Sequence, residues 1–283
     1  MWNSFSFANG DRIFVQIDAF NGAGLVTAVN SNGVIIDLTP PQLDYIVDGL
    51  DPSSDLQYQT SSTSIATMWQ VRDNQSGILQ IEGAIFEFRE GRRFRVYPDP
   101  FFTDATTEII SQGNSNWELD ERNGLSLTSG SKYVAAISFT NGAGLRVQYE
   151  SNGVFVDTTP PIVQRVTVLT DSYTDTVSTN LILTNPNQIE ARWVAFDPES
   201  GIREYLVGVV NENLTFVTPG GQDYINVGTS KGGLLENTAL PPGSGPYRVV
   251  VVGVNFAGER SEPFYSEPFR YVPVCSAPYA CMH

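Results

Sequence analysis

Histidine is almost absent from this chain of 283 residues: the only one is His283, the last position. Ser-His-Asp and Cys-His sites, and histidine-rich metal centres, need an imidazole held on a framework. Most hydrolase mechanisms are thereby excluded. Cysteine is as scarce: Cys275 and Cys281 both lie in the closing stretch VCSAPYACMH, and the rest of the chain has none. Their spacing suits either a small loop disulfide in an oxidising compartment or two thiols at a frayed end. Basic residues are few, Lys+Arg 16 against Asp+Glu 31, for a formal net charge of -15. Such a chain repels a phosphate backbone, so nucleic acid is not an expected partner. No run approaches the ~18 apolar residues of a membrane-crossing helix. There is no Gly-x-x-x-x-Gly-Lys loop for phosphate and no strand-anchored Gly-x-Gly-x-x-Gly for a dinucleotide. The opening MWNSFSFANGDR has no basic start, hydrophobic stretch or small-residue cleavage site.

What the chain does have is a repeat. Asn21 to Pro41 reads NGAGLVTAVNSNGVIIDLTPP, and Asn141 to Pro161 reads NGAGLRVQYESNGVFVDTTPP, without a gap between the two alignments. Upstream, Phe5, Phe7, Gly10 and Ile13 fall on Leu125, Leu127, Gly130 and Tyr133. A looser third copy carries Leu240, Gly243 and Tyr247, followed by VVVVGVNFAG, where Asn255, Ala257 and Gly258 repeat Asn141, Ala143 and Gly144. The beginning of a unit occurs only twice: IATMWQVRDNQSGI (Ile65 to Ile78) aligns with IEARWVAFDPESGI (Ile189 to Ile202), placing Trp69 on Trp193 and Asp73 on Asp197. A fixed recurrence on this scale marks a tandem array. The expected organisation is a closing portion over 1–41, complete modules over 42–161 and 162–273, and a two-cysteine tail over 274–283.

Segments such as YVAAISF (Tyr133 to Phe139) and YRVVVVG (Tyr247 to Gly253) fit strands, and the turns between them are rich in Gly, Pro, Asn and Asp. Tyr133, Ala135, Ile137 and Phe139 are expected to share one inner face. Trp69 and Trp193 are large enough to fill the ~10 Å between two sheets, so both are core candidates. Tyr133 and Tyr247 stand where a hydroxyl can bond back to the backbone at a sandwich corner. The early-strand Trp, the Leu-Gly-Tyr corner and the closing Asn-x-Ala-Gly together resemble the fibronectin type III family. Asp-x-x-Ser-Gly-Ile, Ser-Asn-Gly-Val and Asp-x-Thr-Pro-Pro resemble tandem modules of large extracellular proteins. The resemblance implies an all-β fold of tandem seven-stranded fibronectin type III or immunoglobulin-like β-sandwiches, surface exposure and interaction roles. Residues 79–124 exceed a simple hairpin and predict an elaborated loop or an extra strand.

Polar candidates follow from the same alignment. Asp73 and Asp197 precede Ser-Gly in turns where a carboxylate accepts backbone N–H bonds. Asp37 and Asp157 precede Thr-Pro-Pro, whose prolines hold the linker extended and stiff. Calcium takes ~6 to 8 oxygen ligands; Asp37 and Asp157 are junctional candidates, with Asp48, Asp51 and Asp55 just beyond the first linker, but no contiguous calcium loop is present. No other cofactor is expected. Asn74-Gln75-Ser76 and Asn213-Leu214-Thr215 are N-glycosylation sequons. Arg89, Arg92, Arg93 and Arg95 form a basic cluster in an acidic chain. They read either as a hairpin balanced by Glu87 and Glu90 or as a docking patch for an acidic partner.

With this many carboxylates, some pairs must fall within glycosidase-like distances whatever the function, so the chain is read as a non-enzyme. The leading functional expectation is a structural or adhesive module array of a cell-surface or secreted protein, partnered by other chains or further modules. A glycan-binding array using Arg95, Tyr97, Phe101 and Phe102, and an accessory segment of a secreted enzyme, are the alternatives. Residues 1–39 match only the last strands of a module. Phe5, Phe7, Ile13, Val15, Ile17 and Ala19 are expected to need cover, from a preceding segment, a partner chain or another copy.

Overall fold

The computed structural model describes residues 6–98, 108–110, 116–119, 124–169, 181–185, 187–238, 240–241 and 245–272. Phe5, Phe101, Phe102, Cys275 and Cys281 lie outside them, as does the 274–283 tail. Among the described residues the only helical element is a single 3-10 turn, Pro219–Gly221; everything else is strand, turn or extended chain. The chain divides into two compact units, one of Met1–Gln57 with Ser61–Val156, the other of Tyr58–Thr60 with Asp157–His283.

The first unit begins with β1 (Arg12–Ile13), β2 (Gln16–Phe20), β3 (Val26–Asn30) and β4 (Val34–Ile35), in which β1 pairs with β4 and β2 with β3. Then follow β5 (Gln42–Asp48), β6 (Tyr58–Gln59, which falls in the second unit), β7 (Ile65–Arg72), β8 (Ile78–Arg89), β9 (Arg92–Tyr97), β10 (Glu108–Ile110), β11 (Asn116–Leu119), β12 (Lys132–Asn141), β13 (Arg146–Glu150) and β14 (Val154–Val156). One sheet has the order β11-β7-β5, and a second runs β10-β8-β12-β14 with β9 on β8 and β13 on β12. Their inward residues form one core: Ile65, Trp69 and Leu119 from the first sheet meet Ile81, Ile85, Tyr133, Ala135, Ile137 and Phe139 from the second. Among the described residues of 79–124, β9 and β10 both pair along β8, and β11 pairs with β7.

Alternation is clean in some strands and absent in others. In β17 (Gln188–Phe196) of the second unit, Ile189, Ala191, Trp193 and Ala195 are buried while the residues between them are exposed. In β12, by contrast, Val134, Ala136 and Ser138 are buried as well as the expected inner set. Two straps cover that outer face. Arg146 on β13 reaches Glu82 on β8 at 2.8 Å, and Arg93 on β9 lies 3.6 Å over the Phe86 ring while pairing with Glu150 on β13 at 2.7 Å. Small side chains on the strand between them are shielded by long ones from its neighbours.

The second unit comprises β15 (Ile162–Leu169), β16 (Leu181–Leu183), β17, β18 (Ile202–Val210), β19 (Ile225–Asn226), β20 (Gly232–Glu236), β21 (Arg248–Asn255), β22 (Phe264–Tyr265) and β23 (Phe269–Tyr271). Its sheets are β15-β17-β20, β19-β18-β21-β22 and a parallel β16-β23 pair. Trp193, Tyr205, Tyr247, Val249, Val251 and Phe269 share its core.

Trp69 and Trp193 are both buried, as are Tyr133 and Tyr247. The Tyr133 hydroxyl accepts the Thr128 backbone N–H at 2.6 Å and donates to Glu87 at 3.2 Å, the corner bond that the Leu-Gly-Tyr spacing implies. A second repeated device is a serine at the end of the closing hairpin. Ser151 donates its N–H to the Ala135 carbonyl and accepts the Ala135 N–H on its hydroxyl. Ser266 does the same with Val249, and Ser31 with Val15.

Candidate functional site

The polar positions that recur in the sequence converge in space, once in each unit. In the second unit, the Asp157 Oδ1 accepts the Thr159 N–H at 3.0 Å and the Thr159 hydroxyl lies at 3.1 Å. Its Oδ2 accepts the Ser200 hydroxyl at 2.5 Å and the Asn255 amide at 2.9 Å. Asp197 turns one oxygen on the backbone N–H groups of Glu199, Ser200 and Gly201, at 3.2, 2.9 and 3.0 Å. Its other oxygen takes the Asn255 amide at 3.2 Å. The same amide also faces the Thr159 carbonyl at 3.0 Å. The orientation of Asn255 is fixed from its other side, where Oδ1 accepts the Glu259 N–H at 2.7 Å.

The first unit repeats the arrangement around its own asparagine. The Asn141 amide reaches Asp37, Thr39 O and Asp73 at 2.8, 3.0 and 3.0 Å. Its carbonyl oxygen accepts the N–H groups of Ala143 and Leu145. Asp73 caps Gln75, Ser76 and Gly77, and the Ser76 hydroxyl donates to Asp37. That hydroxyl, ahead of the Thr39 and Asp73 contacts, holds the Asp37 carboxyl below its usual range against the opposing effect of burial. The prolines keep the linker extended, the aspartate anchors it, and the asparagine ties it to two loops. Chemically this is a clasp.

Asp157, Asp197 and Glu199 also bring carboxylate oxygens within 4.8 Å of one another, a grouping able to hold a metal ion. Both oxygens of Asp157 are engaged, however, and the positive edge of the Asn255 amide occupies the place between the two aspartates. The junctional aspartates are therefore satisfied by donors from the chain itself.

Asp48 and Asp55 form a separate acidic pair. Asp48 is buried; its Oδ2 accepts the Gly153 N–H at 2.8 Å and its Oδ1 has no hydrogen-bond partner. Gly153 is required there, because its φ is +86° and a Cβ would stand 2.6 Å from Val134. Asp55 accepts the Asp48 N–H at 2.8 Å and the Asn152 amide at 2.7 Å. Burial, aided by the Asp55 charge, pushes the Asp48 carboxyl up to about 6, against the Ser151 and Gly153 hydrogen bonds and Lys132. The folded state then holds a proton that the unfolded state releases above the ordinary value of 3.8. Stability is thus expected to fall as pH rises from about 4 to about 6, by on the order of 1–3 kcal/mol. Asp48→Asn should flatten that part of the stability–pH curve in urea unfolding of the first unit. An unchanged curve would place the titrating group elsewhere.

The basic cluster is only partly a surface feature. Arg93 is held in its strap, and Arg95 is also engaged. Arg89 and Arg92 are exposed at the tip of the β8–β9 hairpin, with Arg89 5.5 Å from the Phe94 ring and neither in an ion pair among the described residues. Tyr97 is partly buried and packs against Trp117 at 6.0 Å, beside the core. Asn74 and Asn213 are both exposed in turns.

No family model matches the chain, and no curated protein matches it. Among solved structures it is similar to a 1.5-MDa bacterial ice-binding adhesin, described for its retention on a host cell surface, at 14% identity and a TM-score of 0.35, covering 75% of this chain and 59% of that one. It is also similar to the major pilin subunit of Bacillus cereus, at 13% identity and a TM-score of 0.21, covering 92% and 77%. The chain thus spans somewhat over half of the adhesin chain it matches. At such shallow superposition neither likeness assigns a fold family or a role.

Proposed function

We propose that this chain is a non-catalytic array of fibronectin type III-like sandwiches belonging to a cell-surface or secreted protein, in which clasped linkers space the modules and exposed arginines offer a contact to other proteins. The recurring clasp supports this reading most directly. Both carboxylate oxygens of Asp37 and of Asp157 are used in fastening a Thr-Pro-Pro segment to loops of its own unit. The β11-β7-β5 and β15-β17-β20 sheets, each sharing a core with a sheet centred on an antiparallel pair of strands distant in the chain, β8-β12 and β18-β21, agree with such sandwiches. Exposed sequons and the absence of cysteine from the modules agree with a secreted, disulfide-independent array.

Pulling the chain from its ends in a force spectrometer tests the mechanical role. Two separate unfolding events are expected, and Asn141→Ala should lower the force of the first unit's event without altering the other. Equal forces with and without the amide would remove the clasp from the mechanical account. The docking role of the hairpin tip is tested by Arg89→Glu combined with Arg92→Glu. At low salt this reversal is expected to weaken association between chains by tenfold or more in sedimentation equilibrium, because screening is small there. Unchanged association would remove the tip as a docking patch.

A further inference from the structure

The β2-β3 sheet, with the β1-β4 pair beside it in residues 6–39, has the internal bonding of a closing half-module, but among the described residues its β2 face is uncovered. Its Ser31–Val15 exchange matches Ser151–Ala135 and Ser266–Val249. Its Asn21 Oδ1 accepts the Ala23 and Leu25 N–H groups at 3.0 Å each, as Asn141 does with Ala143 and Leu145. Yet Val15 and Ile17 are 64% and 65% exposed, whereas their counterparts Ala135, Ile137, Val249 and Val251 are all at 0%.

Two further differences show what kind of cover fits. Strand β12 pairs with β8 on one edge and β13 on the other, and β21 pairs with β18 and β22, but among the described residues β2 pairs with β3 alone. Likewise the amides of Asn141 and Asn255 each meet two aspartates and a threonine carbonyl, while the Asn21 amide makes no such bond among the described residues. A bare face, a bare edge and an unused clasp amide lie on one sheet.

We propose that this sheet is a docking surface for the leading half of a like module, a strand–turn–strand segment that brings its own tryptophan and capping aspartate. The core positions say which version it takes. Where Phe139 stands on β12, the residue opposite is Ile81, and Phe139 supplies the ring that meets Trp69 edge-on at 5.9 Å. Where Gly253 stands on β21, the residue opposite is Tyr205, which meets Trp193 at 5.6 Å instead. Each opposed pair supplies one ring. Ala19 holds the corresponding position in β2 and has none to give, so the incoming strand carries the aromatic, as β18 does. The register follows: Val15, Ile17 and Ala19 lie opposite positions equivalent to Val209, Val207 and Tyr205. Main-chain bonds to the free edge then give affinity, and the aromatic gives selectivity.

The test uses the full chain with a synthetic segment of residues 188–210, followed by amide exchange and mass spectrometry. Protection over residues 16–20 is expected to rise at least tenfold, because the alternate amides that β3 leaves unpaired gain partners. A segment of residues 64–88, with Ile81 in place of the aromatic, should protect at least fivefold less. Ile17→Asp in the chain should abolish the effect. The 188–210 segment is also joined to the amino terminus through a flexible linker, which removes any failure due to weak association. No added protection in either form overturns the proposal, as does equal protection by both segments. Protection that appears without the segment and grows with chain concentration would show that a second copy is the occupant, and would overturn it too.

Discussion

Asn255→Asp is expected to destabilise the second unit by about 3–5 kcal/mol at neutral pH, the size of effect seen when a buried charge loses its compensation. The native amide donates to Asp157 and Asp197 from a fully buried position. The substitution is nearly isosteric but replaces that positive edge with a third carboxylate. The introduced group should bind its proton more tightly in the folded state than in the unfolded one, so the deficit is expected to shrink as pH is lowered. Millimolar calcium should also recover part of the loss, since three carboxylates and the Thr159 carbonyl are the oxygen ligands a hard cation accepts. Thermal melts with and without calcium at two pH values read all three effects. A substitution with no cost would mean that the amide is not the centre of the clasp.

Trp69→Ala and Trp193→Ala should each cost roughly 3–5 kcal/mol, confined to the unit that contains the substitution. Both rings are buried and touch an aromatic partner edge-on. Neither indole N–H has a hydrogen-bond partner, so the stabilisation comes from packing. Trp→Phe at either site is therefore expected to cost markedly less than Trp→Ala. Urea unfolding followed by exchange at each unit separates the two responses. A loss shared equally between units would contradict their independence.

The sequence made some of this legible because the relevant signals are local. A large ring on an early strand, a tyrosine three residues after a glycine and an aspartate before Ser-Gly each carry their structural meaning within a few positions. The clasp does not. Asp157 and Asp197 stand separately as repeated positions, 98 and 58 residues from Asn255, which joins them. Their shared recurrence in both copies was the available signal. The Arg93 strap was less accessible still, because it depends on the register that sets Phe86 and Glu150 under one guanidinium. That register also explains why β12 is buried on both faces although its sequence reads as half-buried. The division of the chain after Val156 assigns Asp157–Pro161 to the second unit, where the clasp holds it.

The clasp is tested most directly by the hydrogen exchange of three asparagine side chains in one heteronuclear NMR spectrum of the intact chain. The amides of Asn141 and Asn255, each surrounded by two carboxylates and a carbonyl, are predicted to exchange at least a hundredfold more slowly than that of Asn21, which makes no equivalent bonds. If all three exchanged at the rate of a solvent-facing amide, the two aspartates would not be held by asparagine, and the linkers would not be fastened in the way described.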